Sequence, residues 1–257
     1  MNTINIEALT KEIAAAIGAK QVRWVNFRTA ARIEVPRDDS QPVSLVGMLE
    51  KLGAVPAVTA VLGLSDDGSP VLVRLKSPEV RQVLISGDDE AMKTGLLQSM
   101  IVSLAALNSP ENLKMIVIDP KAQAFGDLLA LPHLVHLPIS NPEEAASVFA
   151  ALVSQIKERE QTLGGSEPRV ILAIDHLDEL IGCMDRFAAE DLSRILVRGS
   201  RNGIHVIASS TYDHSSFPVR VLGNKSKSTF QAIADGVNQW MFRPAIVSPE
   251  EMRQIGK

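Results

Sequence analysis

Apolar residues at the start of the chain recur at helical spacing and then give way to short alternating runs. Apolar positions fall on or near one face over residues 4–17, and Gly18 follows as a stop signal, so a surface helix is predicted. Residues 22–36 favour two short strands joined by a turn, and residues 44–51 favour a short helix. Together these elements predict a small α+β domain at residues 1–57.

From residue 58 to residue 257 the pattern changes to short runs rich in Val, Ile and Leu, separated by longer amphipathic segments. Such runs are typical of strands that are buried on both faces. Helical spacing is found over residues 92–107, 142–163 and 187–202. The alternation predicts an α/β domain whose mostly parallel sheet is covered by helices on both faces, with ligands at the carboxyl ends of the strands. The predicted strand runs are VLVRL, VLISG, MIVID, VHLPI, VILAID, HVIASS and VRVLG.

Two helix starts carry a complete capping pattern. Asn141 precedes Pro142, and Ser248 precedes Pro249, so each pairs a cap residue with a first-turn proline. An acid also stands three residues after each cap residue. We therefore expect helices to begin at both positions.

Composition and net charge indicate the class of protein and the compartment in which it is expected. The content of 46% hydrophobic and 22% charged residues is that of a globular protein, and no run of eighteen apolar residues occurs, so no membrane segment is expected. The single cysteine, Cys183, excludes an internal disulfide and favours a reducing, cytoplasmic location, and we expect it to be a small buried residue. With a net charge of -4, nucleic-acid binding would need a local basic stripe.

A strand, a polar loop and a helix follow one another at residues 83–107, the layout of a phosphate-binding loop. Gly87, Lys93 and Thr94 satisfy the spacing GxxxxGK(S/T), but Met92 occupies the second glycine position. The bare pattern is equally compatible with a βα turn that carries a solvated lysine. The loop also places three acids, residues 88–90, where a polyanion would bind, and two like charges about 4 Å apart repel by roughly 4 kcal/mol at an effective dielectric near 20.

The order of segments along the chain resembles the motor of the FtsK/SpoIIIE family. The family loop GTTGSGKS aligns with GDDEAMKT, so Glu90 and Met92 replace two loop glycines. The resemblance implies a RecA-like P-loop NTPase fold at residues 58–257, preceded by a domain similar to the family's accessory domain. Further similar segments are LGLSDDGSPV, VIDPKAQAFGDLLALPHL, RVILAIDHLDELI, RGSRNGIHVIASS, FPVRVLGNKSKSTFQAI and AIVSPEEMRQI.

The resemblance also implies a nucleotide site for ATP and Mg²⁺ that is only partly preserved. Gly87 and Lys93 match phosphate-binding positions, and Thr94 and Asp175 match positions that hold Mg²⁺. His176 falls where the family has its catalytic glutamate, and Ser210 falls where it has a polar sensor, usually glutamine. No intact catalytic set is implied, and we expect ATP hydrolysis to be weak or absent. An unrelated α/β enzyme that uses His176 with Asp175 or Asp178 is a further hypothesis.

Partners follow from the same resemblance and from the distribution of basic residues. Family members act as rings, commonly hexamers, so a homo-oligomer is expected. Six basic residues could contact the phosphate backbone of double-stranded DNA, although a solvated helix face explains the first three equally well. These residues are Arg194, Arg198, Arg201, Arg220, Lys225 and Lys227. Two functions remain: a pseudo-ATPase that serves as a DNA-associated or assembly module, or an active ATP-driven DNA translocase with an atypical loop.

Overall fold

The computed structural model describes residues 6–17, 23–26, 31–34, 43–162, 167–214, 216–225, 228–234 and 238–255. The chain divides into two compact units, residues 1–41 and residues 42–257.

The first unit contains the predicted helix and strand pair. Helix α1 spans Ile6–Ile17, and strands β1 (Arg23–Asn26) and β2 (Ala31–Glu34) form an antiparallel pair. Arg23 pairs with Glu34 and Asn26 with Ala31, and the turn predicted between the two strands lies outside the described residues. The predicted order of helix, strand and strand is confirmed.

The second unit is built on one large sheet. Its strands, in chain order, are β3 (Val43–Ser44), β4 (Thr59–Ser65), β5 (Pro70–Arg74), β6 (Val83–Ser86), β7 (Leu113–Ile118), β8 (Arg169–Ile174), β9 (Ile204–Ser210), β10 (Val219–Asn224), β11 (Thr229–Ala234) and β12 (Asn238–Ile246). Their spatial order is β5-β4-β12-β11-β10-β6-β9-β8-β7, and β3 pairs with β12. The strands from β10 to β7 are parallel, whereas β10, β11, β12, β4 and β5 pair antiparallel in that order.

Helices cover both faces of this sheet. They are α2 (Leu45–Leu49), α3 (Glu90–Leu107), α4 (Pro142–Gln161), α5 (Leu177–Cys183), α6 (Arg186–Arg198) and α7 (Pro249–Ile255). One hydrophobic cluster includes Leu97 and Met100 of α3, and the other includes Phe149 of α4 and Ile195 of α6. Two separate apolar layers on the two faces agree with the predicted α/β architecture.

Local sequence signals account for most helix starts. Asn141 Oδ1 accepts a hydrogen bond from the Glu143 amide at 2.8 Å, as expected for a cap residue. Ser248 and Glu251 exchange hydrogen bonds between side chain and backbone at the start of α7, which is the predicted capping box.

Three features of the second unit differ from the expectations. The contact boundary falls before Val43 rather than at residue 58, because β3 pairs with β12 and Leu45 and Met48 of α2 lie in the core. The predicted strand VHLPI is wrong: residues 134 and 139 form only isolated bridges, since Pro138 cannot donate a ladder hydrogen bond. The third predicted helix ends at Arg198 and continues as a single 3₁₀ turn over residues 200–202.

Candidate nucleotide site

Parallel pairing brings three strand ends together at one edge of the sheet. β6 pairs with β9, and β9 pairs with β8, all in parallel register. The loop after β6, Asp175 after β8 and Ser210 at the end of β9 therefore meet at the carboxyl edge, where open α/β sheets bind ligands.

Gly87 begins the loop in a conformation that requires glycine. Its φ is +144°, and a Cβ at this position would lie 3.2 Å from the carbonyl oxygen of Gly223 in β10. Since L side chains rarely adopt this conformation and the neighbour is backbone, the glycine is fixed by geometry. This part of the predicted loop is preserved.

The amino end of α3 is capped by a carboxylate from the loop itself. Asp89 is the N-cap residue, and its Oδ1 accepts a hydrogen bond from the Met92 amide at 3.0 Å. Helix amino termini bind anions through free amides and the positive end of the helix dipole. Here an anionic side chain of the protein already takes one of those amides.

Lys93 is buried rather than solvated. Only 2% of the residue is exposed, and its Nζ donates to the carbonyl oxygen of Ser210 at 3.0 Å. The Oγ1 of Thr211 lies 3.5 Å from the same nitrogen. The alternative of a βα turn with a solvated lysine is therefore wrong, because the ammonium crosses to the end of β9.

Thr94 and Asp175, the two residues predicted to hold Mg²⁺, are in direct contact. Thr94 Oγ1 donates to Asp175 Oδ2 at 2.7 Å, and Asp175 is fully buried. The hydroxyl of Ser209 donates to the other carboxylate oxygen, Oδ1. Ser209 was not foreseen as a site residue, because only its neighbour Ser210 matches a family motif position.

His176 turns the chain sharply out of β8. It adopts the left-handed conformation, with φ 50° and ψ 53°, and its amide donates to Ser209 Oγ at 2.9 Å. Its Nε2 lies 3.5 Å from Asp175 Oδ2. The imidazole is thus placed beside Thr94 and Asp175, at the position where the FtsK/SpoIIIE family has a glutamate.

Ser210, at the sensor position, is bound to Asp178. Ser210 Oγ donates to Asp178 Oδ1 at 2.8 Å, and the Thr211 amide donates to Oδ2 at 2.6 Å. Burial raises the pKa of the Asp178 carboxyl, but these hydrogen bonds and nearby His214 outweigh burial and bring the pKa below 3.8. Asp178 therefore belongs to the site as an anchor of the segment after β9, and its imidazole neighbour is His214, 3.2 Å away, rather than His176.

A lysine from a neighbouring loop joins two acids at the mouth of the site. Lys121 Nζ lies 3.0 Å from Glu90 Oε2 and 2.9 Å from Glu179 Oε1. The hydrogen bond from Lys121, and then its charge, lower the pKa of Glu90, while the bonds to Glu179 and Glu90 raise the pKa of Lys121. Sequence reasoning missed this lysine, although it lies within the family-like segment at residues 117–134.

Most of the candidate DNA-contacting side chains lie beside carboxylates. Arg201 is exposed, whereas Lys227 lies outside the part of the chain that the structure describes. The partners of the others are Asp191 for Arg194 at 2.5 Å, Glu160 for Arg198, Asp213 for Arg220 at 2.6 Å and Asp89 for Lys225 at 3.7 Å.

The expectation that Cys183 is a small buried residue is wrong, because it is exposed at the end of α5. Among the described helices, none is both long and apolar enough to cross a membrane.

The residues present fit the Mg²⁺ half of an ATP–Mg site better than the phosphate half. Thr94 and Asp175 offer the two oxygens that would hold the ion and orient its waters. The phosphate half does not fit, because Asp89 caps the helix and Lys93 binds a backbone carbonyl. No step of phosphoryl transfer follows from this arrangement.

Solved structures share this fold. The cytoplasmic domain of the Thermomonospora curvata Type VII secretion ATPase EccC superposes with a TM-score of 0.68 at 17% identity, covering 84% of this chain and 34% of that one. The pCW3 conjugation coupling protein TcpA, in a monomer form with ATPγS, gives a TM-score of 0.67 at 13% identity and covers 100% of this chain and 87% of that one. The shared fold is the predicted α/β, RecA-like P-loop fold.

Sequence comparison gives the family. The DNA translocase FtsK of Mycobacterium leprae (strain TN) is 26% identical over 239 residues, which cover 79% of this chain and 28% of the relative. The DNA translocase FtsK of Campylobacter jejuni subsp. jejuni serotype O:23/36 (strain 81-176) is 26% identical over 227 residues, covering 79% and 24%. This chain thus spans about a quarter of the length of these relatives. The FtsK/SpoIIIE family model matches residues 54–222, more than half of the chain, so the chain belongs to the FtsK/SpoIIIE family and is a homologue of its motor domain.

Proposed function

We propose that this chain is a pseudo-ATPase, a motor-domain homologue that binds ATP weakly or not at all, does not turn it over, and acts as an assembly or DNA-associated module. The observation that carries the proposal is the Asp89 carboxylate on the Met92 amide. In a working loop that amide is among the donors available to phosphate. A bound triphosphate would therefore have to displace the Asp89 carboxylate from the Met92 amide.

The negative charge of the loop also opposes ATP binding. Asp88, Asp89 and Glu90 are consecutive, and the Asp89 carboxylate lies on an amide that a phosphate would use. One phosphate oxygen about 4 Å from one of these carboxylates would meet a repulsion of roughly 4 kcal/mol at an effective dielectric near 20, before screening. A single such contact offsets the attraction that Lys93 could provide at the same distance.

The groups that would act on water are also changed. His176 presents an imidazole where the family uses a carboxylate, and the Ser210 hydroxyl bonds to Asp178. A general base must reach the proton it takes, directly or through one water. The structure shows the His176 Nε2 at 3.5 Å from Oδ2 of the buried Asp175 carboxylate.

Assembly fits the surface charge better than DNA binding does. Phosphate contacts require cations whose charge is available, and each one adds to the salt dependence of binding. Arg194, Arg198 and Arg220 each form an ion pair with an acid of this chain, which a DNA phosphate would have to replace. We therefore place homo-oligomer formation, with the ring of the family as its predicted form, ahead of contact with the DNA backbone.

A titration with a fluorescent ATP analogue tests the proposal, with and without Mg²⁺. Wild type and Lys93→Ala are expected to give the same weak or absent signal, as is Lys157→Ala, a matched change of an exposed lysine on α4. The double variant Glu90→Gly/Met92→Gly, which restores two loop glycines, is expected to bind the analogue more tightly than wild type. Saturable wild-type binding with steady turnover, both lost in Lys93→Ala but kept in Lys157→Ala, would overturn the proposal.

An active ATP-driven DNA translocase is the second candidate. The contact between Thr94 and Asp175 at 2.7 Å favours it, because this pair has the geometry to hold Mg²⁺. That function predicts ATP hydrolysis that rises on addition of double-stranded DNA, and a ring in light scattering. Absence of DNA-stimulated phosphate release at millimolar ATP would exclude it.

A further inference from the structure

Three side chains of the types that can bind metals converge from separate elements beside the candidate nucleotide site. Glu90 lies at the start of α3, His176 follows β8, and Glu179 lies in the first turn of α5. Each offers one ligand atom, and these atoms all lie within 4.8 Å of one another. Thr94 and Asp175, the pair suited to Mg²⁺, are not among them.

From this convergence we infer that Glu90, His176 and Glu179 form a binding site for a divalent transition-metal cation of the Zn²⁺ type. One imidazole nitrogen and two carboxylate oxygens are ligands that Zn²⁺ commonly takes, whereas Mg²⁺ prefers oxygen alone. Three protein ligands leave a fourth position for water. The inference goes beyond the proposed function and requires no nucleotide.

The surroundings of His176 favour a metal ligand. Its side chain is largely buried, and its Nε2 lies 3.5 Å from the carboxylate of Asp175. Metal-binding histidines usually direct their second nitrogen at a carboxylate or carbonyl, which fixes the tautomer and leaves the other nitrogen free to bind the ion. The bond from the His176 amide to Ser209 Oγ, at 2.9 Å, holds the backbone that carries this ring.

Glu90 and Glu179 both form ion pairs with the same cation, the Lys121 ammonium. The Lys121 ammonium lies 3.0 Å from one carboxylate and 2.9 Å from the other. Glu90 and Glu179 are about half exposed, so their carboxylates can rotate toward an ion. Ligand atoms around tetrahedral Zn²⁺ are about 3.4 Å apart, given bonds of about 2.0–2.2 Å. Binding therefore requires the ligand atoms, now within 4.8 Å of one another, to move closer together by side-chain rotation.

Zn²⁺ must displace Lys121, and that competition supplies a sharp test. Ion pairs near the surface are weak, so the ammonium can leave along its flexible stem at small cost. The variant Lys121→Met keeps the length of the stem and removes the competing charge. It is expected to bind Zn²⁺ up to about tenfold more tightly than wild type, because two weak ion pairs no longer oppose the metal.

The experiment is a Zn²⁺ titration of the whole chain by isothermal calorimetry, after EDTA treatment and dialysis, without nucleotide. Wild type is expected to bind one Zn²⁺, while Glu90→Gln, His176→Asn and Glu179→Gln should each bind at least about tenfold more weakly, the loss seen even for outer-shell partners. Asn is chosen at position 176 because it tolerates the left-handed conformation. Circular dichroism of each variant shows that the fold is retained.

Matched controls are Glu158→Gln on α4 and His136→Gln in the loop after β7, which leave the cluster intact and should bind as wild type does. Equal affinity in wild type and the three cluster variants would place any zinc elsewhere and overturn the inference. Unchanged or weaker binding in Lys121→Met would overturn it too, because the metal would then not take the place of the ammonium. A failed ATP titration has no effect on these outcomes.

Discussion

Replacing Asp89 by alanine tests two effects of its carboxylate: it caps helix α3, and its negative charge opposes nucleotide binding. The change removes the hydrogen bond to the Met92 amide at 3.0 Å and leaves that amide without its cap. Loss of an N-cap side chain costs about 1 kcal/mol, within a range of about 0.5–2 kcal/mol. For a domain of this size, the melting temperature should fall by about 2–4 °C for each kcal/mol. Nucleotide affinity should rise at the same time, because one negative charge leaves the loop.

Asp89→Asn tests which property of the side chain matters. Asparagine caps helices as well as aspartate does, so the change removes the interaction of the charge with the helix dipole, about 0.3–1 kcal/mol, and the ion pair with Lys225 at 3.7 Å. Asp88→Ala is the matched control: Asp88 is exposed in the same loop, so its loss should change stability by less than about 0.5 kcal/mol. Urea unfolding followed by circular dichroism measures all three. Equal stability of Asp89→Ala and Asp88→Ala would refute the capping role, and unchanged ATP binding in both Asp89 variants would refute the electrostatic argument.

Three further predictions concern stability. Gly87→Ala should destabilise the fold by about 1–3 kcal/mol because residue 87 has a positive φ. Gly95→Ala should stabilise the fold by about 0.5–1 kcal/mol, because a Cβ on α3 at this position meets open space. Chemical unfolding that ranks the two variants otherwise would contradict this. Burial lowers the pKa of His205 from 6.5 to about 4, so the unfolded chain binds more protons between these values and stability falls as the pH drops through this window. At pH 5 the loss relative to neutral pH is about 2 kcal/mol, and His205→Gln should remove this component from urea unfolding curves measured at both pH values. Ser248→Ala breaks the capping box with Glu251 and should cost about 1 kcal/mol, and an unchanged melting temperature would contradict it.

The parallel half of the sheet and the proximity of Thr94 to Asp175 could be predicted from sequence, because their signals are local or follow a known order of segments. The runs before Gly87 and Asp175 are apolar and buried, and they became β6 and β8. The contact of Thr94 with Asp175 followed from matching two motif positions, since parallel strands end at the same edge. The antiparallel strand β12 carries no such signal, because it begins with polar residues and contains Pro244.

The polar partners at the site could not be predicted, for a physical reason. Lys121 meets Glu90 and Glu179 across three elements, and no local pattern encodes which carboxylate a long flexible side chain will reach. Asp178 bonds to Ser210 only because α5 turns back over the end of β9. The capping role of Asp89, in contrast, has a local signal, since aspartate before a helical segment is a typical N-cap.

The exposed thiol at the end of α5 makes the chain convenient for optical work. Cys183 is the single cysteine of the sequence, so a maleimide dye would attach at one position without any prior substitution. The same helix carries Asp178 and Glu179, so the dye would sit on the element whose carboxylates bind the segment after β9 and Lys121. Changes in its emission on adding zinc, nucleotide or a second, unlabelled copy would follow rearrangement of that helix in real time.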